Sequence, residues 1–172
     1  DVCTAMILEK RDTVNSNNCF EIISTKCITQ FSNNIRNNFG FLNNAKKSSP
    51  LDRDLLFMQE GRKVFKEVVP MVSQLIIDHL SEEKIGTEEI KRLWLHQANK
   101  SMNDLIGKKV LGRVPEEHEQ PNILQDYANT SSAGSIIAFS LYSQDKKKNE
   151  IGVLCSFGAG YSAGSVILKK TS

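Results

Sequence analysis

Leu93-Trp94-Leu95-His96-Gln97-Ala98-Asn99 is the stretch on which the reading of the fold turns. Its three apolar residues read as a short buried strand. Lys100 to Leu111 reads as a helix, stopped by Gly112 and Pro115. His96 stands between the two. Strand ends that meet helix N-termini are where layered α/β proteins place ligands. The positive end of the helix dipole disfavours a cation, so His96 is expected to be neutral. A neutral imidazole can donate one N–H to an oxygen that gains negative charge. The alternative is a core histidine satisfied by a backbone carbonyl.

Working outward, Leu51 to His79 carries the longest helical signal. Val64, Phe65, Val68, Val69, Val72, Leu75, Ile76 and Leu80 recur at spacings of three and four. Pro70 is expected to kink it or to start a second segment. Val2 to Leu8 and Phe20 to Phe31 read as strands, with a polar turn between them. Ser32 to Pro50 reads as a loop, because Asn33, Asn34, Asn37, Asn38, Asn43 and Asn44 favour turns. Arg113 to Gln120 is a charged loop, and Ser131 to Ser143 a helix of small residues. Ile151 to Phe157 and Ser165 to Leu168 read as strands joined through Gly158-Ala159-Gly160. The order predicts a mixed α/β layer fold with helices on a sheet.

Composition excludes several classes. The chain has 172 residues, enough for a sizeable core, and 40% of them are hydrophobic. Twenty-two basic and 20 acidic side chains leave a net charge of +2, so no nucleic-acid partner is expected. No apolar run reaches the length of a membrane span. The chain opens on Asp1-Val2-Cys3-Thr4 with no basic start and no initiator Met, so no signal peptide is visible. That opening reads as a start inside a fold. Cys3, Cys19, Cys27 and Cys155 form no C-x-x-C pair, so no metal site is expected. They are expected to be reduced and buried, which fits a cytoplasmic location.

Three further groups could carry chemistry. Asn129 precedes a helix and is either its N-cap or an amide donor aimed at the same oxygen as His96. Asn129-Thr130-Ser131 is also a glycosylation triplet, without a secretory context. Gly158-Ala159-Gly160-Tyr161-Ser162-Ala163-Gly164 is not a dinucleotide fingerprint, because a strand follows it rather than a helix. It is a plain hairpin turn, or a loop whose backbone N–H groups help form an oxyanion hole. Cys155 as a nucleophile is disfavoured by its apolar strand. His79 and His118 read as structural.

Together these motifs resemble a known pattern. His96-Gln97-Ala98-Asn99, Asn129-Thr130-Ser131-Ser132-Ala133 and Phe157-Gly158-Ala159-Gly160-Tyr161-Ser162-Ala163-Gly164-Ser165 resemble the C-terminal half of beta-ketoacyl-acyl-carrier-protein synthase III, in the thiolase superfamily. Met58 to Lys66 looks like the family's helix before the active-site strand. Val2 to Glu9 looks like the last strand of its N-terminal half. The resemblance implies a thiolase-like layered α/β/α fold, C-terminal half only. Residues 1–30 would be the tail strand of the N-terminal half with a linking strand, and residues 31–172 the C-terminal domain.

It also implies a decarboxylating condensation of an acyl-CoA with malonyl-acyl carrier protein, at the start of fatty acid synthesis. His96 and Asn129 would stabilise the enolate, and the backbone N–H of Ala159 or Gly160 would serve the acyl oxyanion. Arg62, Lys66, Asn99, Lys100, Lys108 and Lys109 would meet the carrier protein or coenzyme A. No cofactor is implied, since coenzyme A thioesters are substrates, and the complete enzyme would be a homodimer. Two departures stand out. The family's Arg shortly after the first motif is replaced by Ser101, beside Lys100. None of the four cysteines sits in the context of the family's nucleophile, so the missing N-terminal half would supply it. The alternatives are a non-catalytic partner subunit of an active homologue, or a related condensing enzyme of polyketide or hydrocarbon synthesis.

Overall fold

A four-stranded sheet carries the molecule. The computed structural model describes residues 2–16, 18–37 and 57–172. Strands β1 (Phe20–Thr29), β4 (Ile90–Leu95), β5 (Ile151–Gly158) and β6 (Ser162–Lys170) lie in the order β1-β6-β5-β4. β1 and β5 each pair antiparallel with β6, whereas β4 runs parallel to β5, with Leu95 beside Cys155. Two short strands, β2 (Ile35–Asn37) and β3 (Phe57–Gln59), make a separate antiparallel pair.

Period-two alternation sends side chains to two faces. Leu93, Leu95, Val153, Cys155, Phe157 and Ile167 meet the helices α1 (Gly61–Glu82) and α2 (Lys100–Leu111) on one face. Trp94, Leu154 and Leu168 point to the other, where they meet Ile123, Ile137 and Ala138. There α3 (Leu124–Tyr127) and α4 (Ala133–Leu141) complete the layering. Burying each Val, Leu or Ile of this kind stabilises by about 1.5–3 kcal/mol. The far end of α4 is tied to β4. Buried Arg92 donates to the Tyr142 carbonyl and to Asp145, both at 2.6 Å, and Trp94 Nε1 donates to the same carbonyl at 3.1 Å.

Several expectations need correcting. Val2 to Leu8 forms no strand; it pairs with nothing among the described residues, and Ile7 and Leu8 are 86% and 74% exposed. A strand needs a ladder partner, and periodicity cannot supply one. The long helix starts at Gly61, not Leu51, because the Glu60 N–H donates to the Asn34 carbonyl and closes the β2–β3 pair. Residues 51–56 lie outside the described residues, as do 38–50 of the expected loop. Ile35–Asn37 is strand rather than loop. α1 runs through Pro70 as one helix; the ring is on the exposed side, where water can satisfy the carbonyl that lost its donor. The hairpin is as expected, although β6 begins earlier, at Ser162.

The cysteines also depart from expectation. All four are free, but only Cys155 is buried, while Cys3 and Cys27 are exposed. Burial pushes the Cys155 thiol up to about 12. Under native conditions at pH 8, a maleimide should therefore label Cys3 and Cys27 and spare Cys155 until denaturant is added. Mass mapping that finds Cys155 labelled in the native protein would contradict this placement.

His79 lies on the buried side of α1, with Nδ1 at 2.9 Å from Ser165 Oγ and Nε2 without a partner. Burial holds its pKa below the usual imidazole value; Glu83 and Glu82 oppose this and Lys26 adds to it. The unfolded chain therefore binds the proton more readily than the native one. Stability should be full above about pH 6.5 and decline as pH falls below that value. Urea midpoints measured between pH 7.5 and 5 should fall, and a His79→Gln variant should flatten part of the decline.

Candidate active site

Buried β4 delivers His96 to the end of the sheet. Its N–H donates to the Cys155 carbonyl (2.8 Å), which continues the parallel pairing one residue past the strand. Its carbonyl accepts from Asn103 Nδ2 at 3.0 Å, on α2. Asn103 is 2% exposed and sits on the face of α2 that also buries Met102, Ile106 and Val110. The backbone of His96 is thus held from both sides. Its imidazole, 7% exposed, meets the Phe157 ring edge-on, with centroids 4.9 Å apart.

Burial holds His96 below the usual imidazole pKa, with the backbone of Ser131 offsetting part of the effect. The helix dipole predicts a shift in the same direction, but desolvation is the main cause here. The first helical residue is Lys100, four positions beyond His96. Nδ1 is buried without a hydrogen-bond partner.

The loop before α4 carries Asn129. The Ser131 N–H donates to Asn129 Oδ1 (3.0 Å), which closes a tight turn. Asn129 does not cap α4; the N-cap is Ser132, with no side-chain bond. Asn129 is exposed, and the bond that closes this turn uses its Oδ1, not its amide Nδ2. Ala128 (φ 55°, ψ −160°) and Ser131 (φ 58°) both have left-handed φ values. Such residues cost on the order of 1–3 kcal/mol each and cluster where a site over-determines the backbone.

The third motif forms the turn between β5 and β6. Phe157, Gly158, Ala159, Ser131 and Ser132 line a cleft of about 350 Å³ together with Cys27 and residues of β1 and β6. Gly160 has φ 135°, and a Cβ there would meet Ser162 Oγ at 2.8 Å and Ser162 N at 2.9 Å. The fold therefore gathers the three motifs: His96 touches Phe157 of one and faces Ser131 of the other.

The cationic candidates lie elsewhere. Arg62 and Lys66 are exposed on the first turns of α1. Asn99 caps α2, its Oδ1 accepting from the Met102 N–H at 3.2 Å. Lys100 pairs with Asp104 at 2.8 Å. Lys100 and Lys108 line a larger cleft of about 660 Å³, opposite Glu116 and Glu117, and Lys109 is exposed beside them. Among the described residues, no group of acidic, His and Cys side chains could hold a metal ion. No described helix is long and apolar enough to cross a membrane.

Gln97, a member of the first motif, also braces the site. Fully buried, its Nε2 donates to the Leu95 carbonyl (2.9 Å), and its Oε1 accepts from the Ile123 N–H (3.1 Å). Asn103 is a second brace, which the sequence signals only as a polar residue inside the apolar spacing of α2.

A sheet layered between helices, with a buried imidazole at the end of β4 and a glycine turn beside it, defines the C-terminal half of a thiolase-like fold. The likeness to solved structures agrees. A 3-oxoacyl-[acyl-carrier-protein] synthase III from Aquifex aeolicus superposes with a TM-score of 0.71 at 20% identity, over 94% of this chain and 52% of that one. The Thermus thermophilus beta-ketoacyl-[acyl carrier protein] synthase III gives 0.68 at 18%, over 91% and 48%.

Residues 80–170 match the model of the 3-oxoacyl-[acyl-carrier-protein] synthase III C terminal. The chain is 60% identical over 170 residues to the beta-ketodecanoyl-[acyl-carrier-protein] synthase of Pseudomonas aeruginosa, covering 99% of this chain and 49% of that one. It is 31% identical over 128 residues to a beta-ketoacyl-[acyl-carrier-protein] synthase III of Oleidesulfovibrio alaskensis, 72% of this chain and 37% of that one. The chain belongs to the 3-oxoacyl-[acyl-carrier-protein] synthase III family. It spans about half the length of these relatives or less.

Proposed function

We propose that this chain is the enolate-stabilising half of a decarboxylating condensing enzyme. The observation that carries it is His96: buried, its pKa lowered by that burial, and packed edge-on against Phe157, where β5 runs into the glycine turn. In the reaction a cysteine thiolate attacks an acyl-CoA carbonyl. A carbon–sulfur bond to cysteine forms, and coenzyme A leaves as its thiolate. Malonyl-acyl carrier protein then loses carbon dioxide, and the bonding pair becomes an enolate. The enolate carbon attacks the acyl-cysteine carbonyl, and the cysteine thiolate departs.

Charge builds on the malonyl thioester oxygen, where His96 and the Asn129 amide donate. Donors already held in place act with little reorganisation of solvent; Asn129, exposed in this half, would be covered once the other half is in place. The N–H of Ala159 or Gly160 serves the acyl oxygen. Cys155 is no nucleophile, since its thiol is held up to about 12. The nucleophile would then belong to the amino-terminal half, which would also cover the exposed Val2, Met6, Ile7 and Leu8. Residues 1–30 would thus be the tail and linking strand of that half, and 31–172 the second domain, in a homodimeric enzyme.

Arg62, Lys66, Asn99, Lys100, Lys108 and Lys109 form the surface for carrier protein and coenzyme A. The glutamates facing Lys100 and Lys108 weaken a purely electrostatic attraction there. Coenzyme A thioesters are substrates, not resident cofactors. The 60% identical relative is a beta-ketodecanoyl-[acyl-carrier-protein] synthase, which supports a ten-carbon product for this chain as well. A ten-carbon 3-oxo product contains two carbons from malonyl, so the acyl donor is an eight-carbon CoA thioester.

The test is condensation by the complete enzyme with malonyl-acyl carrier protein and either octanoyl- or acetyl-CoA. The expected product is 3-oxodecanoyl-acyl carrier protein. Preference for acetyl-CoA would overturn the chain-length reading, and no product from either would overturn the synthase reading.

A further inference from the structure

We propose that Tyr161, Glu67 and Asn34 are positioning residues that clamp the Gly158–Gly160 turn and thereby hold its backbone donor on the acyl oxygen. This rests on the synthase reading above.

The turn is fastened to two different parts of the fold. Its backbone is stitched to the chain leaving β1: the Gln30 N–H donates to the Tyr161 carbonyl (2.8 Å), and the Ser32 N–H to the Gly160 carbonyl (2.6 Å). Its side-chain anchor is Tyr161, 1% exposed, whose ring lies in the α1 face of the core. The phenol donates to Glu67 Oε2 on α1 at 2.8 Å. Asn34 Nδ2 donates to the same carboxylate oxygen (2.8 Å) and lies 3.1 Å from the Tyr161 hydroxyl. Asn34 is itself held, because its carbonyl accepts from the Glu60 N–H at the start of α1 (2.8 Å).

Core packing alone explains a buried ring. It does not explain a phenol, a carboxylate and an amide converging beside the turn that lines the cleft at Gly158 and Ala159. A hairpin tip needs no such anchor to form. An oxyanion donor does, because a donor must stay within about 0.5 Å of its productive position. Glu67 and Asn34 also couple the turn to the start of α1, which carries Arg62 and Lys66.

The test separates the two partial reactions in the complete enzyme. Tyr161→Phe keeps the ring and removes the hydroxyl. Asn34→Ala, at a half-buried loop position, is a second variant that does not disturb the core. Acyl transfer from acyl-CoA to the cysteine should slow about tenfold in Tyr161→Phe, with KM unchanged. That is less than the 10²–10³ expected for deleting a donor, because the donor is loosened rather than lost. Malonyl decarboxylation, which relies on His96 and Asn129, should stay within about twofold of the parent. Amide hydrogen exchange across the turn should speed up in both variants, with melting temperature little changed.

A merely structural role would lower both partial reactions together, and that result would overturn the clamp. So would unchanged exchange at the turn. If the unsubstituted enzyme performs neither partial reaction, the synthase reading fails, while the exchange measurement still decides the clamp.

Discussion

Replacing His96 with alanine in the complete enzyme is expected to slow malonyl decarboxylation by about two to three powers of ten. On the proposed function the imidazole is a fixed donor to the oxygen on which charge builds, and water entering the vacated space would have to reorient to replace it. Acyl transfer to the cysteine should survive, because the proposed donor for that step is the backbone of the glycine turn. His96→Gln should recover part of the loss, since its amide can donate from a similar reach. The acid limb of the decarboxylation profile should fall below the ordinary imidazole value. Burial keeps the ring neutral, and therefore a one-proton donor, further into acid than a solvated histidine. Equal losses in both partial reactions would show that the substitution damaged the site as a whole.

The second large effect concerns stability. Gly152→Ala in β5 should destabilise the fold by about 3 kcal/mol, at the upper end for an overpacked core. The new methyl would lie 2.4 Å from Trp94 Cζ3, 2.7 Å from Cη2, and 3.2 Å from the Arg92 carbonyl. Trp94 has nowhere to go. It is fully buried, its Nε1 is bonded to the Tyr142 carbonyl, and its ring is wedged edge-on against Phe20 and Phe139 at 5.9 and 4.9 Å. For a chain of this size the melting temperature should drop by roughly 6–12 °C. A drop under about 2 °C would mean that the indole is freer than its contacts imply. Pairing the substitution with Trp94→Phe should recover part of the loss, because the six-membered atoms that clash belong to the larger ring.

Much of the architecture was readable because it is local. The three-and-four spacing from Val64 to Leu80 marks α1, and Asn99 and Gly112 bracket α2. The glycine run between two apolar stretches marks the hairpin. His96, Asn129 and the turn were nameable for a similar reason: each lies in a short contiguous motif. What failed at this level were features settled by the presence or absence of a distant partner rather than by local pattern. Val2 to Leu8 has the composition of a strand but no ladder to join among the described residues. Ile35–Asn37 and Phe57–Gln59 are strands only because they find each other. Cys27 has an apolar neighbourhood in sequence and an exposed position in the fold.

The linear order of residues thus determined which chemistry is carried and in what succession: a histidine after a strand, an asparagine before a helix, glycines at a turn. Only the folded arrangement decided what holds each in place. Asn103 grips the His96 carbonyl, Gln97 bridges Leu95 and Ile123, and Tyr161 reaches Glu67 and Asn34 across the core. Residues 161 and 34 are far apart along the chain, and no spacing rule links them. A motif is legible because neighbours in sequence share a backbone, whereas a brace requires two distant segments to be packed at hydrogen-bond distance. That proximity exists only once the layers have closed over the sheet.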